Sequence, residues 1–215
     1  MNYIENIYIC LAAPLLIAIL CLRGRGRRTM LFMLAGTTVC LLASYINTFI
    51  AMLLGVDMVM ASVEIAPMTE EIIKFLPILF YLLVFEPTRE DILDSVLMTA
   101  VGVATFENAC YLTGNGAADI LHLLIRGFGA GAMHVVCGFL VAMGILYLWD
   151  RVWLQLAGTV GLLAVAMTYH GIYNILVSQT GTAAAIGYLI PLLTVALTLL
   201  FKFSYLPEVD RVPKE

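Results

Sequence analysis

The chain has 215 residues, 62% hydrophobic and 12% charged, with a formal net charge of -4. One soluble core cannot hide that much apolar surface, since globular usage is roughly 45–50% apolar. The small negative charge and the absence of a basic stripe interleaved with aromatics exclude a nucleic-acid partner.

A hydrocarbon layer of ~30 Å needs about 20 apolar residues per helical span. By that measure the first span runs from near Tyr3 to Leu22 and is closed by Arg23-Gly-Arg-Gly-Arg-Arg28. Its arginines follow the apolar run, so it reads as a retained span and not a cleaved leader. The second runs from about Thr29 to Leu54, and the third from Ala66-Pro67 to Phe85, with Pro suited to a first helical turn. The fourth takes Ile92 to about Leu112, ahead of the turn signal Thr113-Gly-Asn-Gly116. The fifth covers Asp119 to Trp149, the sixth Trp153 to Ser178 and the seventh Thr182 to Phe203, before a polar tail from Ser204 to Glu215. The predicted fold is all-α, a polytopic bundle of about seven spans. Residues 1–215 form one integral membrane domain, with the chemistry-bearing helices at about 64–178.

Lys and Arg set the orientation. If the Arg23–Arg28 loop is cytoplasmic, so are Arg89, Arg151, Lys202, Arg211 and Lys214, while the opposite loops hold no Lys or Arg. The amino terminus is then outside and the carboxyl terminus inside. The five cysteines lie in apolar runs without metal-ligand spacing and read as small hydrophobes.

Every basic residue is then cytoplasmic except Lys74 and Arg126, which sit inside spans. A charge in the bilayer core costs ~2.5–3.5 kcal/mol on insertion scales, so each needs a reason. Glu70-Glu71-Ile-Ile-Lys74 opens the third span, with Glu70 and Lys74 on one face and able to pair. The fourth carries Glu107-Asn108, the fifth Arg126 and His134, and the sixth His170 and Asn174, again four apart. With the predicted topology, these positions fall at similar depth in the outer half, His134 nearer the midplane. Four helices bringing polar groups to one depth form a shared cavity. His122 and Glu64 lie off this pattern and read as structural and solvated.

Two adjacent carboxylates and two histidines around a polar cavity suit activation of water. A glutamate acts as general base, a histidine shares the proton, and a His/Asn pair one turn apart can donate to an oxyanion. That is the chemistry of peptide-bond hydrolysis. No HExxH, GxGD or buried GxSx pattern occurs. Ionisable residues within spans also mark proton- or ion-coupled transporters, although here they thin out toward the cytoplasmic half. A catalytically inactive relative that binds membrane peptides is a third alternative.

Glu70-Glu71-x-x-Lys74, Phe106-Glu107-Asn108, His134 with Gly138, and His170-x-x-x-Asn174 follow in this order on successive spans. In that arrangement the chain resembles the PrsW family of intramembrane proteases, relatives of the CAAX-prenyl-protease and bacteriocin-processing group. The resemblance covers about residues 64–178. It implies cleavage of membrane-anchored substrates, such as anti-sigma factors, near the outer face of the bacterial cytoplasmic membrane. By the same resemblance, Glu70 or Glu71 is the general base and His134 its partner in water activation. His170 and Asn174 are oxyanion donors, Glu107 and Asn108 line or brace the site, and Lys74 and Arg126 hold glutamates ionised. No tight ligand spacing is visible, which favours a metal-free mechanism. If zinc is used, Glu71, His134 and His170 are the expected ligands.

Overall fold

The computed structural model describes residues 4–116, 119–148 and 152–205. Seven long helices, and no strand among the described residues, follow one another as α1 (Ile4–Cys21), α2 (Gly24–Leu54), α4 (Ala66–Phe85), α5 (Arg89–Asn115), α6 (Ile120–Leu148), α7 (Val152–Val177) and α8 (Thr182–Tyr205). A single turn, α3 (Met58–Met60), precedes α4. The predicted spans are recovered in order. The polar tail beyond Tyr205, Trp149 and the Asp150-Arg151 break lie outside the described residues.

Six of the long helices are long and apolar enough to cross a membrane; α4, with Glu70, Glu71 and Lys74, is the seventh. Large side chains face outward along the bundle, among them Leu20, Met52, Leu53 and Ile120, each more than 70% exposed. A water-soluble monomer rarely shows so much contiguous apolar surface, whereas lipid covers it without cost. The hub is α6, 67% buried over its most apolar stretch against 11% for α1 and α8. It packs on α5, α7 and α8, while α2 packs on α1, α4 and α5.

Two boundaries differ from expectation. The arginines after α1 do not form a loop: Leu22 and Arg23 alone connect the helices, and Arg25, Arg27 and Arg28 occupy the opening turns of α2. Cations are unfavourable at a helix N-terminus, but the acidic start of α5 offsets them. Arg25 Nη2 meets Asp94 Oδ2 at 2.6 Å, and Arg28 pairs with Asp91. The third span also starts earlier. Asp57 Oδ1 accepts the Met60 N–H at 2.8 Å and caps the helix there, and the chain passes through a π-helical turn, Ala61–Ile65, into α4. Glu64 therefore lies on this π turn, exposed. Single π turns inside helices are frequent at functional sites.

Backbone contact between α2 and α5 fixes the frame. A Cβ on Gly36 would lie 2.2 Å from the Thr99 carbonyl oxygen, and one on Gly102 would lie 2.2 Å from that of Met33. No larger residue fits either place, and close approach of this kind drives helix association in lipid. Gly102→Ala should lower the detergent-phase unfolding temperature, with a loss of about 1–3 kcal/mol or more. Gly161→Ala, where a Cβ meets nothing within 4 Å, should be neutral or slightly stabilising. Equal unfolding temperatures for wild type and Gly102→Ala would remove this crossing as the organising contact.

Candidate functional site

The polar residues singled out on α4, α5, α6 and α7 converge at the end of the bundle away from Arg25, Arg27 and Arg28. Successive helical residues point about 100° apart, so neighbouring Glu70 and Glu71 serve different partners. Glu71 turns inward, with 0% of its side chain exposed. Its Oε1 accepts from Lys74 Nζ at 2.6 Å and from His170 Nδ1 at 2.9 Å. Lys74 thus pairs with Glu71, three residues away, and not with Glu70 as the spacing suggested. Glu70 faces α2, keeps 16% of its side chain exposed, and directs Oε2 toward His170 Nε2 at 3.9 Å.

These contacts fix both histidine tautomers. An ionised carboxylate can only accept, so His170 Nδ1 carries the proton given to Glu71, and Nε2 presents a lone pair toward Glu70. Lys74 can only donate, and its Nζ lies 3.4 Å from His134 Nδ1. His134 Nδ1 is therefore the acceptor, and Nε2–H donates to Glu107 Oε2 at 2.5 Å. The two imidazole rings stand edge-to-face with centroids 5.2 Å apart, and both are buried.

Glu107 is the most open member, with one-third of its side chain exposed. Arg126 Nη2 donates to its Oε1 at 3.0 Å, Nη1 bonds Asn108, and the guanidinium lies 3.9 Å over the Tyr111 ring. Asn108 Nδ2 reaches the Gly127 carbonyl at 3.4 Å, tying α5 to α6. Asn174 does not reach the cluster through its bonded hydrogen: Nδ2 donates to the Ser62 carbonyl in the π turn at 2.8 Å. His122 lies apart, bonded to Tyr111 at 2.9 Å. Three participants went unnoticed in the sequence: Asn47, Thr69 and Ser62. A polar Asn47 within an apolar span was the available signal; the π turn left none.

Glu70, His134 and His170 each offer a ligand atom, and these atoms lie within 4.8 Å of one another. One carboxylate and two imidazoles are a donor set used by catalytic zinc sites. Glu71 takes the place of the carboxylate that orients a ligating histidine through its other nitrogen. His170 Nε2 is free to ligate, whereas His134 would release Lys74 or Glu107 to do so. The set fits a divalent cation, with Glu70 in place of the expected Glu71. A family model described as the PrsW family intramembrane metalloprotease matches residues 26–201. The chain belongs to the PrsW family. No curated protein and no solved structure matches it. PrsW-family membership makes the chain an integral membrane protein of an intramembrane protease family, and the matched region takes in α2 from Gly26 onward.

The other oxygen of Glu71, Oε2, accepts no hydrogen bond from the described residues. A cavity of about 10 Å³, lined by Glu71, Lys74 and Thr99 among others, has room for roughly one water there. Removing Lys74 would strand the carboxylate. Lys74→Met should cost about 3–5 kcal/mol in detergent unfolding, and the Glu71→Gln/Lys74→Met double variant should regain most of it. A Lys74→Met protein as stable as wild type would show that the pair carries no structural weight.

Proposed function

We propose that this PrsW-family chain is an endopeptidase that hydrolyses membrane-anchored proteins, of which an anti-sigma factor is an example. Its site would lie in the outer half of a bacterial cytoplasmic membrane, with the amino terminus outside and the carboxyl terminus inside. The observation that carries the reading is the convergence of Glu70, His134 and His170 within 4.8 Å. Lys74 and Glu71 lock one of those histidines behind it.

In this reading Glu70, His134 and His170 hold a divalent metal, zinc being the fitting ion. A cation held there supplies Lewis-acid polarisation of the scissile carbonyl and of the attacking water. Glu71 keeps the His170 proton on Nδ1 and so keeps Nε2 available. Lys74 balances the charge of Glu71. Glu107 is the open carboxylate beside the cluster and acts as general base. It removes a proton from water as oxygen attacks the carbonyl carbon, then delivers that proton to the departing amine. Arg126 pairs with Glu107 and holds it in place. Asn174, through Ser62, anchors the π turn that leads into the Glu70-Glu71 pair, and its second amide hydrogen is left for substrate.

The contact of Lys74 with His134 Nδ1 supports a second, metal-free reading. There an ammonium already occupies that nitrogen, and Glu70, the less committed of the adjacent pair, takes the proton from water itself. The two readings separate cleanly. A single-span substrate in liposomes should be cut by wild type, with Glu70→Gln, His134→Ala and His170→Ala each reduced at least about 100-fold. Chelation should abolish cleavage and zinc should restore it, and Glu107→Gln should lose turnover while retaining metal. Full activity in chelated, metal-depleted protein would select the metal-free reading. Equal cleavage by wild type and all variants would end both.

A further inference from the structure

By sequence α2 only flanks the chemistry-bearing helices, yet it delivers a side chain to the cluster. Asn47 Nδ2 donates to Glu70 Oε1 at 3.4 Å, and its Oδ1 accepts the hydroxyl of Thr69. The amide has one orientation that satisfies both neighbours. A carboxylate can only accept, so the NH₂ must face Glu70, and the carbonyl end is left for a hydroxyl donor. Thr69 Oγ1 also lies 3.1 Å and 3.2 Å from the carbonyls of Ile65 and Ala66, where the π turn joins α4, and its single hydrogen serves either Asn47 or these carbonyls. A chain of contacts thus runs from that junction through Thr69 and Asn47 to Glu70.

The other oxygen of Glu70 faces His170 Nε2. Fixing Oε1 therefore decides where Oε2 points. Asn47 can do this because α2 cannot slide or roll: its backbone is seated on α5 at Gly36, about three turns below. A flexible carboxylate next to water would otherwise sample several rotamers, and most would leave His170 unaccompanied.

We propose that Asn47 is a positioning residue of the hydrolytic site, holding the Glu70 carboxylate in the orientation that pairs it with His170. This rests on the reading above in which Glu70 is a metal ligand. Outer partners of metal ligands typically contribute 10–100-fold in affinity or activity. A bridge that merely ties α2 to α4 would contribute to neither.

The test uses full-length protein purified in detergent, with zinc affinity read by competition against a chromophoric chelator and turnover read on the single-span substrate. Asn47→Ala should weaken zinc binding by about 10–100-fold and lower kcat with KM unchanged. Asn47→Asp keeps the shape but removes the donor, and should lose at least as much. Thr69→Val, which removes only the hydroxyl that orients the amide, should shift zinc affinity the same way by a smaller factor. Glu70→Gln run alongside separates the two levels. If it keeps zinc and turnover, the site assignment itself fails. If it loses both while the Asn47 variants keep wild-type affinity and kcat, the role of Asn47 is overturned. A lowered unfolding temperature in Asn47→Ala with zinc affinity and kcat unchanged overturns it equally.

Discussion

The Glu71 carboxylate has no exposed surface, and around it the polar half of the bundle is arranged. A buried charge of this kind must be paired and hydrogen-bonded or it unfolds its surroundings. Lys74 supplies the charge and His170 a hydrogen bond, and each consequence follows in turn. Lys74 is drawn to Glu71, so Glu70 is released toward α2 and the open side. His170 gives its Nδ1 proton to Glu71, so its Nε2 lone pair is fixed toward Glu70. Lys74 also meets His134, which sends the His134 proton to Glu107 and places the most open carboxylate at the edge of the cluster. One buried carboxylate thus decides the protonation pattern of both histidines and the separate roles of three glutamates.

The scaffold holds that network by contacts lipid cannot replace. Between apolar helices in a bilayer there is no hydrophobic drive, so close backbone approach and interhelical hydrogen bonds carry association. The Gly36–Gly102 crossing supplies the first. Asn108 to Gly127, Asn174 to Ser62, and Thr69 to Asn47 supply the second, and all three end on the polar cluster or on the turn that leads to it. Stability and site geometry are therefore held by the same bonds.

Much of this was legible in the sequence, because membranes make polar residues conspicuous. The spans followed from apolar length, and the convergence of Glu70, Glu71, Glu107, Arg126, His134 and His170 followed from comparing their depths. What stayed hidden depends on rotation about the helix axis and on neutral residues. Spacing alone paired Lys74 with Glu70, since four residues and three residues both bring side chains together; burial chose Glu71. The same rotation exchanged Glu71 for Glu70 among the grouped ligand atoms. Asn47 and Thr69 carry no charge, so they stood out far less than the ionisable residues. The π turn at Ala61–Ile65 is a backbone feature without a sequence mark, and with it the helix begins at Met58.

The proposed hydrolysis requires Glu70, His134 and His170 to act as one ligand set behind which Glu71 stands. X-ray absorption at the zinc edge on the purified, zinc-loaded protein measures that set directly. The expected shell has two imidazole nitrogens and carboxylate oxygen at about 2.0–2.2 Å, with loss of one imidazole in His170→Ala. Sulfur at about 2.3 Å, or an unchanged shell in that variant, would contradict it.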